Sequence, residues 1–174
     1  MRQKGLILLF TGHGKGKTTA ALGMTMRAAG HGMKTCFLQF IKGSWKYGEM
    51  EAMARFREEI DFYVMGRGFT WKSDDLEKDK AVAREAWEKA KEVIMSGKYH
   101  TVVLDEFTYL LRYGMIEKEE ALEVLRRKPE DLHICITGRD AAEELVALAD
   151  LVTEMQPIKH PYQQGIRAQK GVEF

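Results

Sequence analysis

The chain has 174 residues, of which 27 are lysine or arginine and 26 are aspartate or glutamate, so its formal net charge is +1. With 45% hydrophobic and 30% charged residues, it has the composition of a folded globular protein, which excludes a disordered chain. The near-zero charge gives no overall electrostatic reason to bind nucleic acid or a membrane surface, and the length predicts one domain spanning residues 1–174.

Short apolar runs alternate with longer segments of helical period. Strands are predicted at residues 6–11, 35–40, 60–65, 101–105, 132–137 and 151–155. Helices are predicted at residues 17–29, 49–56, 74–96, 117–127 and 141–149. This alternation predicts an α/β fold of the P-loop NTPase type, with a mostly parallel sheet and helices on both faces. Residues 159–174 have little periodicity, and we expect them to cover the surface or reach a partner subunit.

The cysteines and the N-terminal residues indicate in which cellular compartment the protein is expected. Cys36 and Cys135 lie far apart inside apolar runs, which predicts buried, reduced thiols. The apolar run at residues 5–10 is too short for a secretion signal, and no run approaches the ~20 apolar residues that span a bilayer. We therefore expect a soluble, cytoplasmic protein with no membrane partner.

The strongest chemical motif lies between the first predicted strand and the first predicted helix. Its glycines let backbone N–H groups point inward, and the helix N-terminus adds a positive dipole end, so the motif favours phosphate binding over a ligand-free turn. Lys17 supplies a charge for phosphate oxygens, and Thr18 is a candidate Mg²⁺ ligand. The usual G-x-x-x-x-G-K-[ST] spacing has a glycine where this chain has Thr11. The candidate ATP-binding residues here are Gly12, His13, Gly14, Lys15, Gly16, Lys17, Thr18 and Thr19.

Acidic residues follow the strand predicted at residues 101–105. In phosphate-loop folds, an acidic residue such as Asp105 reaches Mg²⁺ directly or through water. The alternative interpretation of Asp105 and Glu106 is a solvated strand end. These motifs leave the reaction open, because kinases, ATPases and nucleic-acid motors share them.

A basic and aromatic cluster at Lys42, Trp45 and Lys46 has two interpretations. It can stack on bases and contact nucleic-acid phosphates, or it can contact the amides and phosphate of a small ligand. Because the net charge is only +1, we favour the small ligand over nucleic acid.

Several further segments, together with the loop, resemble the P-loop class of ATP:corrinoid adenosyltransferases. The match runs in order over nearly the whole chain, and the altered loop spacing is itself typical of that family. The segments are residues 39–43 (Gln-Phe-Ile-Lys-Gly), 68–71 (Gly-Phe-Thr-Trp), 103–109, 137–139 (Thr-Gly-Arg), 149–155 and 165–174.

The resemblance implies a particular chemistry. Co(I) of a reduced corrinoid, cobalamin or another, attacks the 5′ carbon of ATP, forms a Co–C bond and releases intact triphosphate. ATP lies in reverse, with its γ-phosphate where other P-loop proteins hold a more internal phosphate. Negative charge then develops on the triphosphate, where Lys17, Lys15, Thr18 and Mg²⁺ are expected to lie. Lys17 and Thr18 are therefore candidate catalytic residues.

The same resemblance assigns roles to other residues. Phe69 and Trp71 are candidate catalytic residues that pack beneath the corrin ring and displace its lower axial ligand; as an isolated pair they would more simply fill a small core. Glu106 belongs with the ribose hydroxyls or the metal. Arg139 belongs with the phosphates, or it is an exposed residue at a helix start. Asp105 joins Thr18 in the candidate Mg²⁺ site.

The resemblance also implies a homodimer and an electron-donating flavoprotein reductase as partners. Some members carry an extension before the first strand that covers the partner's nucleotide site. Here Leu6 starts the strand almost at once, so we expect this lid to be missing or replaced. The rival functions are a P-loop ATPase or switch that couples hydrolysis to a protein or nucleic-acid partner, and a nucleotide-binding module without catalysis.

Overall fold

The computed structural model describes residues 4–41, 43, 47–66 and 76–174. Within them, six strands form one all-parallel sheet in the order β3-β2-β4-β5-β1-β6. The strands are β1 (Ile7–Thr11), β2 (Thr35–Gln39), β3 (Ile60–Val64), β4 (Thr101–Asp105), β5 (His133–Thr137) and β6 (Leu151–Glu154). The predicted parallel α/β fold is confirmed, and every predicted strand is present to within one residue at each end.

Each predicted helix is present in the described residues, but some differ in extent and one helix was not predicted. They are α1 (Lys17–Ala29), α2 (Gly48–Met53), α3 (Leu76–Met95), α4 (Thr108–Arg112), α5 (Lys118–Arg126) and α6 (Glu143–Leu148), with 3-10 turns at Ala54–Phe56 and Pro161–Gln164. Helix α4 was not predicted, because its five residues are too few to show a helical period. Helix α6 is shorter than predicted, since Ala142 and Ala149 both have extended backbone.

The sheet is buried on both faces because successive residues of each strand point to opposite sides. In β2, Cys36 and Leu38 join the larger core, where α3, α4, α5 and α6 pack. Phe37 points the other way and packs with Ala21 of α1. Helices thus cover both faces, as predicted.

Cys36 and Cys135 are buried and free, in agreement with the prediction. Burial raises the pKa of each thiol to about 12, so both stay protonated and unreactive at neutral pH. None of the helices in the described part of the chain combines the length and the apolar character that crossing a bilayer requires.

The strand order decides which loops meet. Strand β5 lies between β1, which leads into the glycine-rich loop, and β4, which ends at Asp105. Because all these strands run the same way, their carboxyl ends meet at one edge of the sheet. That edge brings together the loop, the Asp105 turn and the turn after Thr137.

Candidate active site

The glycine-rich loop is shaped by its glycines and by the strand beside it. Gly12 and Gly16 have φ values of 93° and 122°, which favour glycine. A Cβ on Gly12 would lie 2.5 Å from the Met155 carbonyl oxygen, and one on Gly14 would lie 2.7 Å from it. The Gly14 N–H donates to that oxygen at 2.6 Å, while the Met155 N–H donates to Thr11 O at 2.8 Å. Met155, just after β6, therefore supports the loop from behind.

The side chain of Lys17 folds back onto the loop. Its ammonium donates to the carbonyl oxygens of Gly12 and Gly14, both at 2.8 Å. Burial is the main cause that lowers the pKa of Lys17, and the positive charge of Arg139 lowers it further. Two cationic side chains thus face one cleft, which is the arrangement that a polyanion such as triphosphate stabilises.

Asp105 is a hydrogen-bonding centre at this edge of the sheet. It is fully buried, and its Oδ1 accepts hydrogen bonds from the hydroxyls of Thr18 at 2.9 Å and Thr137 at 2.7 Å. Its Oδ2 accepts from the side-chain amide of Gln39 at 3.2 Å. The buried carboxylate is therefore held by donors from α1, β5 and β2.

The chain takes unusual backbone conformations just after β4 and β5. Glu106 and Asp140 have φ values of 62° and 50°, in the left-handed region that non-glycine residues rarely adopt. Such strain is found mainly at functional sites, where the surrounding structure holds it. Here the Glu106 N–H donates to Thr137 Oγ1 at 2.8 Å. Asp140 accepts from His13 of the loop at 3.0 Å and also contacts Arg112 of α4.

Arg139 lies in the turn between β5 and α6 and lines the cleft. It is exposed, and α6 begins only at Glu143, so Arg139 is not at a helix start. Its carbonyl accepts a hydrogen bond from Thr108 Oγ1 at 2.7 Å, which fixes the turn against α4. From this position the guanidinium can contact an anion bound in the cleft.

The C-terminal segment forms another wall of the cleft. Gly171, Val172, Glu173 and Phe174 line it, and Glu173 pairs with Lys15 of the loop at 3.1 Å. The cleft has a volume of about 510 Å³, within the range of small-molecule sites. The expectation that this segment covers the surface is confirmed, with the added finding that it covers the glycine-rich loop.

Most of the predicted site residues meet in this cleft. Those that line it are His13, Gly14, Lys15, Gly16, Lys17, Thr18, Thr19, Glu106 and Arg139. Gly12 contributes its carbonyl to Lys17, and Asp105 lies beneath Thr18. Phe69 and Trp71, and likewise Lys42, Trp45 and Lys46, lie outside the described residues.

Sequence analysis gave no individual role to four residues that the fold brings to the same place, although each lies in a segment quoted above: Gln39, Thr137, Met155 and Glu173. Thr137 could have been found, because it ends a predicted parallel strand and such ends meet at one edge. Gln39 lies one residue before the predicted end of its strand. Tyr109 of α4 also lines the cleft, and burial raises the pKa of its phenol, so it remains a neutral donor.

The donor set near Thr18 fits Mg²⁺ bound together with a nucleotide. Within the described ranges, no cluster of three or more His, Cys, Asp or Glu side chains is suited to holding a metal ion. Mg²⁺ commonly uses one or two protein oxygens, several waters and the substrate phosphates. Thr18 donates its only hydroxyl proton to Asp105, which leaves its oxygen lone pairs for a cation.

A loop of this shape, joining a strand of a parallel sheet to a helix, defines P-loop nucleotide-binding proteins, and this chain has their fold. The KaiC-like protein from Pyrococcus horikoshii OT3 superimposes with a TM-score of 0.50 at 15% identity, over 88% of this chain and 72% of that one. A likeness at this identity indicates the fold alone.

Sequence comparison gives the family. The model described as ATP:corrinoid adenosyltransferase BtuR/CobO/CobP matches residues 3–174. Proteins named corrinoid adenosyltransferase from Sinorhizobium sp, Pseudomonas aeruginosa and Escherichia coli K12 are 48%, 43% and 41% identical to it. The alignments cover 99% of this chain and 81%, 85% and 87% of those proteins. The chain belongs to the ATP:corrinoid adenosyltransferase family, which confirms the resemblance drawn from its motifs.

Proposed function

We propose that this enzyme transfers the 5′-deoxyadenosyl group of ATP to the Co(I) centre of a corrinoid and releases triphosphate, a step of adenosylcobalamin biosynthesis. The observation that carries the proposal is a full-length family match on a chain whose cleft directs Lys17 and Arg139 at one place. ATP and the corrinoid are both substrates.

The reaction needs no proton transfer. The cobalt electron pair forms the Co–C bond as the bond between C5′ and the bridging oxygen breaks, and that electron pair leaves with the triphosphate. The residues that matter most are therefore those that stabilise a growing anionic charge. Lys17, Lys15 and Arg139 have this role, and Glu106 is proposed to contact the ribose hydroxyls.

Mg²⁺, when bound with ATP, neutralises part of the triphosphate charge. Thr18 Oγ1 is proposed as its protein ligand. Asp105 is proposed to act through Thr18 or through a coordinated water, because the Thr18 hydroxyl already donates to it.

Phe69 and Trp71 are proposed to contact the lower face of the corrin and displace the axial ligand of Co(II). Loss of that donor makes Co(II) easier to reduce, so the effect of this pair is separable from ATP binding. Trp71→Ala is expected to slow adenosylation that starts from Co(II) more than adenosylation that starts from chemically supplied Co(I). Equal slowing of both would contradict this role.

The remaining proposals concern assembly and setting. We propose one domain over residues 1–174, a homodimer, a flavoprotein reductase as electron donor, and a cytoplasmic location. The exposed apolar side chains of Leu151 and Val152 on the edge strand β6, and of Val146 on α6, support a subunit contact on that side.

The test is to mix the protein with ATP and chemically reduced cobalamin under anaerobic conditions. The proposal predicts a light-sensitive alkylcobalt spectrum and one intact triphosphate for each Co–C bond formed. Formation of ADP and phosphate at the same rate with and without corrinoid would instead support the rival P-loop ATPase.

A further inference from the structure

Thr108, the first residue of α4, is a buried threonine whose hydroxyl bonds outside its own helix. Its Oγ1 donates to the carbonyl oxygen of Arg139 at 2.7 Å. A threonine in a helix often directs its hydroxyl to the backbone of the same helix, as Thr25 does by donating to Ala21 O at 3.0 Å. Thr108 instead reaches a residue 31 positions further along the chain. Its hydroxyl therefore joins α4 to the turn after β5.

The turn depends on such a contact because the backbone on either side of Arg139 is unusual. Gly138 has a φ value of 143° and Asp140 one of 50°. Backbone in this region persists only where the surrounding structure holds it. A Cβ on Gly138 would overlap Thr108 Oγ1 and would lie 2.9 Å from Thr108 Cβ, so the threonine side chain packs directly on the glycine. Thr108 thus packs against one residue of the turn and bonds to the next.

Repulsion between two cations gives this contact a consequence for anion binding. The positive charge of Arg139 is one of the causes that lower the pKa of Lys17, and both residues line the same cleft. If the turn were loosely held, Arg139 could move away from Lys17 until an anion arrived. The anion would then have to order the arginine side chain, which weakens binding. A turn that is held by Thr108 keeps the two cations together in advance.

We propose that Thr108 is a positioning residue for the triphosphate group and acts through the backbone of Arg139. This inference rests on the function proposed above, in which Arg139 stabilises the triphosphate. Thr108 does not line the cleft, so its own side chain is not expected to touch the anion. Loss of the Thr108 hydroxyl is expected to weaken anion binding about five- to tenfold, which is the usual cost of ordering one long side chain.

The experiment compares Thr108→Ala with Thr108→Ser, because these two variants differ only in the hydroxyl group. Calorimetry measures the affinity of each variant for inorganic tripolyphosphate at one fixed Mg²⁺ concentration. Thr108→Ser is expected to bind about five- to tenfold more tightly than Thr108→Ala, and about as tightly as the unmodified protein. Should Thr108→Ala fail to fold, Thr108→Val removes the hydroxyl without leaving a cavity and has the same expected affinity. Equal affinities with and without the hydroxyl would overturn the inference.

Replacement of Arg139 separates positioning from a general loss of structure. Without the guanidinium, the Thr108 hydroxyl has nothing to position. When each is combined with Arg139→Ala, Thr108→Ser and Thr108→Ala should therefore bind tripolyphosphate within about twofold of each other. An undiminished difference between them in this background would overturn the inference, because the hydroxyl would then support the cleft as a whole.

Thr25→Ser and Thr25→Ala are the matched control, since Thr25 is fully buried and its hydroxyl also donates to a backbone carbonyl. These two variants should bind tripolyphosphate within about twofold of each other. A difference as large as the one expected at Thr108 would overturn the inference, because the loss of any buried hydroxyl would then be sufficient.

Failure of the inference is distinguishable from failure of the proposed function. If Arg139→Ala binds tripolyphosphate as tightly as the unmodified protein, the phosphate role of Arg139 fails and the inference with it. If Arg139→Ala binds weakly but the Thr108 variants bind equally, only the inference is overturned. Formation of alkylcobalt by the unmodified protein tests the function separately. Its absence, together with the expected Thr108 result, would overturn the function and support the role of Thr108 at the anion site.

Discussion

Lys17 and Lys128 are similar lysines at opposite edges of the sheet. Each is half-buried and donates to two backbone carbonyls: Lys17 to those of Gly12 and Gly14, and Lys128 to those of Gly5 and Pro129. Burial is the main cause that lowers the pKa of both. Their neighbours differ: the next largest influence on Lys17 is the cation Arg139, whereas that on Lys128 is the anion Asp150.

The two edges of the sheet differ in the same way as these two lysines. At the amino edge, polar side chains complete the backbone of the strand: His133 Nδ1 accepts from the Leu6 N–H at 3.1 Å, and Asp150 Oδ2 accepts from the Ile7 N–H at 2.9 Å. At the carboxyl edge, cations converge and Glu106 has a strained backbone. We infer that replacing these polar side chains reduces mainly stability at the amino edge, and that replacing the cations reduces mainly function at the carboxyl edge.

The largest expected effect is on activity, from Lys17→Ala. Loss of a preorganised charge at the leaving triphosphate should lower kcat/KM roughly 10²–10³-fold. The melting temperature should change little. Lys128→Ala is the matched control, and its kcat/KM should be close to that of the unmodified protein. Similar losses of activity in the two variants would remove the distinction between the edges.

Two glycines with positive φ, one at each edge of the sheet, allow the stability cost of a backbone change to be compared. Gly138 has φ 143°, and a Cβ there would overlap the Thr108 hydroxyl. Gly97, before β4 at the amino edge, has φ 67° with open space around its Cβ position. Gly138→Ala should lower the free energy of unfolding by about 3 kcal/mol, and Gly97→Ala by about 1 kcal/mol. Urea denaturation measures both, and equal losses would mean that the turn after β5 can relax.

A smaller effect concerns His133 and pH. Burial, with the neighbouring charges of His100 and Lys128, lowers the pKa of His133 below its usual 6.5. As the pH falls, the unfolded chain therefore binds this proton before the folded protein does. The stability that neutral His133 contributes is complete above about pH 6.5 and is lost as the pH falls below it. A protonated ring can no longer accept the Leu6 N–H, which costs on the order of 1 kcal/mol.

The pH prediction is checked by thermal unfolding between about pH 7.5 and about pH 5.5. His133→Asn keeps an acceptor oxygen but does not titrate, so it should lose less stability over this range than the unmodified protein. An identical pH dependence in the two proteins would exclude His133 as a source of it.

The smallest expected effect comes from Glu173. This residue pairs with Lys15 at a partly exposed place and competes with a bound anion for that lysine. Glu173→Gln should raise the affinity for inorganic tripolyphosphate about threefold. Glu77→Gln, which removes an exposed charge paired with Lys80 on α3, is the control and should have no effect. Weaker binding by Glu173→Gln would mean that Glu173 supports the anion site.

The sequence predicted what local pattern encodes. The strands appear as apolar runs, and the spacing of Lys17 and Thr18 after glycines marks the phosphate loop. The pairing of Lys15 with Glu173 could not be predicted, because the two residues are far apart in sequence and residues 159–174, which contain Glu173, have little periodicity. The contact of Gln39 with Asp105 could not be predicted, because it depends on the register of the sheet, which pairs the two residues.

The central claim is that the cleft holds triphosphate as a leaving group while the 5′ carbon changes partner. The most direct measurement uses ATP with oxygen-18 in the bridge between C5′ and the α-phosphorus, together with reduced corrinoid, and analyses the products by mass spectrometry. The account predicts that the label leaves in intact triphosphate. Label retained on the nucleoside, or recovered in ADP beside unlabelled phosphate, would contradict it.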